Sequence, residues 1–133
     1  MSYLLDTNIC IYLIKKKSEF LIAKIEKIAA SKLFLSSITV AELEYGVEKS
    51  QHKEKNALAL SKFLLPFQLI PFDELAAKEF GKLRAGLEAR GKPIGVFDMQ
   101  IAAIALTHQL TLITNNTREF ERVPNLELEN WTK

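Results

Sequence analysis

The sequence predicts an α/β fold in which a central, mostly parallel sheet of four to five short strands is covered by helices on both faces. Three observations support this prediction: short apolar runs recur along the chain, helical patterns separate them, and most runs lead directly into polar or acidic residues. Buried parallel strands have this combination because helices cover both faces of their sheet. We expect residues 1–133 to form a single domain, since no long linker, repeat or low-complexity tract divides them.

Four apolar segments are predicted to be strands, and a fifth segment alternates as an edge strand does. They are Tyr3–Leu5, Leu33–Leu35, Gln68–Ile70, Thr111–Thr114 and, at the edge, Leu126–Leu128. In parallel α/β sheets the ligand site lies beyond the carboxyl ends of the strands. The residues that follow the first, second and fourth strands are therefore of interest, namely Asp6, Ser36 and Ser37, and Asn115 and Asn116.

Helical periodicity fills most of the chain between these strands. The predicted helices are Asn8–Lys15, Glu19–Ala30, Thr39–Lys49, Lys53–Leu64, Glu74–Arg90 and Asp98–His108. Asp73 is a suitable N-cap for the fifth helix, and the glycines and proline of residues 91–95 interrupt the chain before the sixth.

Composition limits the class of protein. The apolar fraction of 48% and the charged fraction of 26% are those of a globular domain, which excludes native disorder. The single cysteine, Cys10, excludes a disulfide framework and a cysteine-based zinc site. Without a signal-peptide pattern or an apolar run of about 20 residues, we expect a cytoplasmic protein with no membrane partner. The net charge of +2 is too small to indicate nucleic-acid binding by itself.

Two aspartates lie where a carboxylate needs an explanation. Asp6 follows two leucines and precedes a helix, so local sequence fits an N-cap and a functional acid equally well. Asp98 shares a helical face with Ile101, Ala102 and Ala105, where an unpaired carboxylate is costly. The dipole of the helix N-terminus explains part of this placement. A bound cation explains it as well, and we favour the cation.

Local pattern leaves four further polar side chains open. Glu42 and Glu44 lie on different faces of the third predicted helix, and periodicity does not choose between them; a solvated glutamate is the default for either. After the fourth strand, Asn116 suits a cap for the following turn, and Glu119 suits an exposed helix position.

A cluster of carboxylates would itself indicate a metal ion, because converging negative charges repel one another unless a cation offsets them. Oxygen ligands suit Mg²⁺ or Mn²⁺, which usually keep several water molecules. Such ions activate water and stabilise charge that develops on a phosphate group. An acidic cluster at the sheet edge would therefore favour metal-dependent phosphate chemistry.

Four motifs, in order along the chain, resemble those of the PIN-domain toxins of bacterial toxin–antitoxin pairs, the VapC type. They are LDTN at residues 5–8, SITVAELEYG at 37–46, IGVFDMQIAA at 94–103 and TNNTREF at 114–120. Each motif is weak alone, but four at these separations are specific, and the resemblance covers essentially the whole chain. It implies a PIN-like α/β fold and an endoribonuclease that requires Mg²⁺, for which Mn²⁺ can substitute.

The resemblance also implies roles for individual residues. Asp6 and Asp98 match acids that hold the metal, and Glu42, rather than Glu44, matches the acid of the second motif. Asn116 occupies a position that is often Asp in the family, which makes Glu119 the candidate for the missing charge. The expected catalytic residues are thus Asp6, Glu42, Asp98 and Glu119, supported by the polar residues Thr7, Thr114 and Asn116.

The partners implied by the resemblance are an antitoxin of the VapB type that fills the acidic groove and an RNA substrate. The specific expectation for the RNA is initiator tRNA, cut in its anticodon stem-loop. The resemblance further implies a homodimer and a toxin–antitoxin hetero-oligomer. Arg90 and Lys92, in the loop before Asp98, are candidates to hold RNA phosphates.

One departure from the family pattern concerns Val96, where related toxins frequently have proline; we expect a looser loop before Asp98 as a result. The alternative function is a non-catalytic PIN-like module that binds RNA or a protein partner. A Rossmann- or flavodoxin-like nucleotide-binding domain is disfavoured, because no glycine-rich phosphate loop follows the first strand.

Overall fold

A computed structural model describes all 133 residues of the chain. Its strands are β1 (Tyr3–Leu5), β2 (Leu33–Ser36), β3 (Gln68–Ile70), β4 (Thr111–Ile113) and β5 (Leu128–Glu129). They form one sheet in the order β3-β2-β1-β4-β5, in which every neighbouring pair is parallel. The predicted fold class is therefore confirmed.

Seven α-helices connect and cover the strands. They are α1 (Thr7–Ile14), α2 (Glu19–Glu26), α3 (Ser37–Glu48), α4 (Lys53–Leu64), α5 (Glu74–Ala89), α6 (Val96–His108) and α7 (Thr117–Phe120). A 3-10 helix, Ala30–Lys32, leads into β2. None of the helices combines the length and the apolar character that a membrane crossing requires.

The sheet separates two hydrophobic cores, because successive side chains of a strand point to opposite faces. On β1, Leu4 packs into the core that α5 and α6 cover, whereas Leu5 packs into the core beneath α1 to α4. Leu112 and Ile113 of β4 divide in the same way. Both faces of the central strands are thus apolar, which is why their sequences are continuous hydrophobic runs.

Several predicted boundaries were wrong. The second helix ends at Glu26, not Ala30, because the chain must turn back to begin β2, and Ala29 is already extended (φ −61°, ψ 135°). Helix α6 begins at Val96, with Gly95 as its N-cap, so that Asp98 lies within the first turn and does not begin the helix. Strand β4 ends at Ile113, one residue earlier than predicted, although the backbone N–H of Thr114 still donates a 3.1 Å hydrogen bond to the carbonyl oxygen of Glu129. The edge strand is Leu128–Glu129 and is shifted from its predicted position, since Leu128 lies opposite Leu112 and Glu129 lies opposite Ile113.

The strand order creates the crevice that positions the site. From β1 the chain builds outward through β2 and β3, and it then crosses back to place β4 on the other side of β1. The connections after β1 and β4 therefore leave the sheet in opposite directions, which opens a crevice at the carboxyl ends of these strands. Asp6 directly follows β1, and Thr114 directly follows β4.

Candidate active site

A groove of about 1120 Å³ lies at this end of the sheet, between α1, α3, α4 and the start of α6. Asp6, Glu42 and Asp98 all line it, together with Asn116. These residues come from four separate parts of the chain. The structure therefore brings three of the four acids that were expected to be catalytic to a single concave surface.

Asp6 is both a helix cap and a groove residue. The backbone N–H of Ile9 donates a 2.9 Å hydrogen bond to its Oδ1 atom, as an N-cap of α1 requires. The side chain is only 4% exposed. Burial raises the pKa of Asp6 to about 6, and the negative charges of Asp98 and Glu42 add to the increase; hydrogen bonding from Thr114 and Ile9 opposes it. The two explanations offered by the sequence are therefore compatible.

Asp98 is half-buried in the first turn of α6. Burial, together with the negative charges of Glu119 and Glu42, raises the pKa of its carboxyl group to about 6. No hydrogen bond opposes this increase. The helix N-terminus thus leaves the Asp98 carboxylate without full compensation, which is the state that a bound cation would relieve.

Glu42 lies on the groove side of α3, and a hydroxyl group holds it in place. Thr7 Oγ1 donates a 2.7 Å hydrogen bond to Glu42 Oε1, and Thr7 Oγ1 also lies 3.1 Å from Thr39 Oγ1. Glu42 is half-buried, whereas Glu44 is exposed and does not line the groove. Tertiary contacts with α1 thus distinguish two glutamates that helical periodicity could not.

The segment after β4 supplies the remaining polar groups. The Thr114 side chain is fully buried, and its Oγ1 accepts a 2.9 Å hydrogen bond from the backbone N–H of Asn116. Asn116 occupies the N-cap position of α7 without a capping hydrogen bond, and it lines the groove. Glu119 does not line the groove, but it is close enough to raise the pKa of Asp98. Glu119 supplies the negative charge on this side of Asp98, next to a neutral Asn116.

The loop before Asp98 makes two contacts with the rest of the chain, and the looser loop expected from Val96 stays a prediction. Val96 is the first residue of α6, a position where an N–H has no helical partner and where proline and other residues are both accommodated. Ile94 is buried, and Arg122 Nη1 donates a 2.9 Å hydrogen bond to the carbonyl oxygen of Pro93. Both contacts are made although position 96 is valine and not proline.

The basic residues around the groove differ from those proposed from sequence. Arg90 and Lys92 are exposed, at the end of α5 and in the following loop, and neither lines the groove. Their role in RNA binding stays a prediction. Lys15 and Lys49 do line the groove, at the ends of α1 and α3. Sequence reasoning missed both as site residues, because a lysine at a helix end is most often solvated.

The donor set suits a hard divalent cation. Its side-chain atoms are carboxylate and amide oxygens, and two of its carboxyl groups have a pKa raised partly by neighbouring negative charges. No group of three or more Asp, Glu, His or Cys side chains is arranged to enclose a metal ion by itself. An ion here would be held by one or two carboxylates and by water, as Mg²⁺ usually is in proteins.

Comparison with known proteins identifies the family. The sequence model of the family described as PIN domain matches residues 3–126. The chain belongs to the PIN-domain family. This PIN-domain chain is 45% identical to Ribonuclease VapC2 of Rickettsia felis, over the full length of both proteins. It is 41% identical to the tRNA(fMet)-specific endonuclease VapC of Shigella flexneri, over 99% of each.

A solved structure agrees with these relationships. The crystal structure of VapBC2 from Rickettsia felis, bound to a DNA fragment from its promoter, contains a chain that matches with a TM-score of 0.92 and 44% identity. The match covers 98% of this PIN-domain chain and 99% of that one. The relationship to VapC-type PIN-domain toxins, predicted from four motifs, is confirmed.

Proposed function

We propose that this PIN-domain protein is the toxin of a toxin–antitoxin pair and that it is a metal-dependent endoribonuclease. The observation that carries the proposal is the convergence of Asp6, Glu42 and Asp98 on one groove. This groove lies at the crevice where the connections after β1 and β4 leave the sheet in opposite directions. The names of its relatives, which are ribonucleases and a tRNA endonuclease, support the same conclusion.

We further propose that Asp6 and Asp98 hold the cation, which is Mg²⁺ with Mn²⁺ as a substitute. A bound divalent ion supplies positive charge for the scissile phosphate and activates water for attack. Without it, three carboxylates and an anionic phosphate would repel one another, so the metal-free groove resists its own substrate. Asp6 is buried and capped and therefore gives the ion a fixed position, whereas Glu42 and Glu119 complete the negative charge around it.

The groove also has features that suit single-stranded RNA. Lys15 and Lys49 line the groove and offer positive charge to the phosphates of a bound RNA. Two aromatic side chains that line the groove are largely exposed, Tyr45 at 65% and Phe97 at 57%. Exposed aromatic rings near basic side chains stack with unpaired bases in proteins that bind single strands. Phe97 directly precedes Asp98, so a base stacked there would lie next to the cleavage site.

The first substrate to test is initiator tRNA. The Shigella flexneri relative, whose name specifies tRNA(fMet), matches this chain at 41% identity over 99% of each protein, which supports the choice. An anticodon loop presents unpaired bases, which suits the exposed rings of the groove.

The partner of this chain is proposed to be an antitoxin of the VapB type. The structural relative was solved as a VapBC complex, and the groove has apolar walls that a partner segment would cover. We also propose that the protein forms a homodimer, that it assembles with the antitoxin into a hetero-oligomer, and that it is located in the cytoplasm.

Cleavage of defined RNAs tests the function. Purified protein is incubated with initiator tRNA, elongator methionine tRNA and total RNA, with Mg²⁺ or with EDTA, and the cut ends are mapped. We expect cleavage only with the metal, and its loss in Asp6→Asn and Asp98→Asn. Glu44→Gln, an exposed change on the same helix as Glu42, serves as the matched control and should retain activity. Binding without cleavage would favour the non-catalytic alternative.

A further inference from the structure

A line of three hydroxyl groups runs from the buried end of β2 to the Glu42 carboxylate. Ser36 Oγ lies 3.3 Å from Thr39 Oγ1, which lies 3.1 Å from Thr7 Oγ1, which lies 2.7 Å from Glu42 Oε1. Ser36 and Thr39 are completely buried. The line therefore links the β2–α3 segment to the start of α1. Its first two hydroxyl groups are shielded from bulk water.

The direction of each hydrogen bond in this line follows from the number of protons available. Thr7 has one hydroxyl proton, and it is donated to the carboxylate, the strongest acceptor within reach. In the bond between the two threonines, Thr39 must therefore be the donor. Thr39 Oγ1 in turn accepts from Ser36 Oγ, whose own lone pair accepts from the backbone N–H of Thr39 at 3.0 Å.

All three protons thus point toward Glu42. Chains of hydrogen bonds with one direction polarise each other and strengthen the last bond. The backbone N–H at the first turn of α3 fixes the starting point, because Ser36 is the N-cap of that helix. The orientation of the Glu42 side chain is therefore set from within the core.

We infer that Thr39 is a positioning residue, which holds Glu42 in its active orientation by donating a hydrogen bond to Thr7. The inference rests on the proposed function for its consequence in catalysis, but the contacts that carry it do not depend on that function. Thr39 is completely buried and does not line the groove. Its effect on the reaction must pass through Thr7 and Glu42.

The cap at the start of α3 does not explain the Thr39 hydroxyl. The capping bond uses the backbone N–H of Thr39 and the side chain of Ser36, so every residue except proline at position 39 can make it. A valine would fill the same volume and keep the branched shape. The hydroxyl group at this completely buried position is accounted for by its bonds to Ser36 and Thr7.

The test compares Thr39→Val, which removes the hydroxyl but keeps the volume, with Thr39→Ser, which keeps the hydroxyl but loses a methyl group. We expect Thr39→Val to reduce the single-turnover cleavage rate about tenfold with unchanged RNA affinity. Thr39→Ser should stay within about threefold of the original protein. The control is Thr111→Val, which changes a buried threonine whose hydroxyl faces Glu127 at 3.4 Å; its cleavage rate should be unchanged.

A stability cycle gives a second readout that needs no activity. Unfolding by urea is measured for Thr39→Val, for Glu42→Met, which removes the acceptor oxygens but keeps a side chain of similar length, and for the double variant; the two effects should be non-additive if the residues are coupled. Additive effects, or equal loss of cleavage in Thr39→Val and Thr39→Ser, would overturn the inference. If no RNA is cleaved by the original protein, the proposed function fails, and the stability cycle still decides whether Thr39 acts on Glu42.

Discussion

Replacing Asp6 with asparagine should stabilise the metal-free protein at neutral pH, although it destroys the proposed active site. The Asp6 carboxyl group is buried next to the negative charges of Asp98 and Glu42, and its pKa is raised to about 6. Asparagine has nearly the same shape and carries no charge. It also remains a good N-cap, so the hydrogen bond from Ile9 should persist.

The size of the effect follows from the two pKa values. The Asp6 carboxyl group has a pKa of about 6 in the folded chain, against an ordinary value of 3.8. A difference of about two units corresponds to about 3 kcal/mol of destabilisation once the group is ionised in both states. The folded protein binds the proton more tightly, so this loss is absent below the ordinary pKa of 3.8, grows between that value and about 6, and is constant at higher pH. Asparagine should therefore gain about 3 kcal/mol at pH 7.5, and only about 1 kcal/mol at pH 4.5.

Urea unfolding in EDTA measures this difference at pH 4.5, 6 and 7.5, with Glu44→Gln as an exposed carboxylate control that should show little change. Addition of Mn²⁺ at pH 7.5 should stabilise the original protein and leave Asp6→Asn nearly unaffected. An advantage of Asp6→Asn that did not depend on pH, or an Asp6→Asn variant less stable than the original protein at pH 7.5, would refute the reasoning.

Four further predictions concern other groups. Metal affinity should fall steeply below pH 6, because the carboxyl groups of Asp6 and Asp98, each with a pKa of about 6, must lose their protons to bind the ion. Titration calorimetry in buffers of different ionisation enthalpy should detect the proton release, and equal metal affinity at pH 5 and 7.5 would contradict the prediction. Cys10 should react with thiol reagents only on unfolding, since it is fully buried and burial raises its pKa well above 9.0; rapid native labelling would argue against the packing described. Lys49→Ala should weaken RNA binding and reduce the slope of log affinity against log salt by about 0.7, the value for one phosphate contact on a single strand; an unchanged slope would remove Lys49 from the RNA path. Arg122→Ala should remove the hydrogen bond to the carbonyl oxygen of Pro93 and speed backbone amide hydrogen exchange in residues 91–95, with the rest of the chain as the internal reference. Unchanged exchange would mean that the Arg122 hydrogen bond is not needed to hold the loop.

Local sequence predicted the elements whose determinants are themselves local. Asp73 caps α5 through a 3.0 Å hydrogen bond from Ala76 N–H, as its position before an apolar helical stripe indicated. Helix α4 has the predicted bounds. The end of α2 was mispredicted because apolar spacing continues to Ala30, whereas the turn into β2 depends on where the sheet lies. Propensity does not contain that information.

The residues of the candidate site also fall into those that local sequence could predict and those that depend on tertiary contacts. The rule for parallel sheets placed Asp6 at the carboxyl edge, since it depends only on where a strand ends. The choice of Glu42 over Glu44 required the resemblance, because the deciding contact is with Thr7, 35 residues away in sequence. Lys15 and Lys49 could not be selected either: their role depends on two helix ends meeting at one groove, and each end alone resembles a solvated surface.

Asp6 joins stability and function in one side chain, and the two requirements act on it in opposite directions. Its cap bond to Ile9 helps to start α1, whose first residue, Thr7, then orients Glu42. The same burial that fixes this geometry makes the charge of Asp6 costly without a cation. A more exposed aspartate would cost less but would let the start of α1, and with it Thr7, move relative to α3. The fold therefore accepts a charge that destabilises the metal-free state, because the position of the ion and the orientation of Glu42 depend on the same helix start.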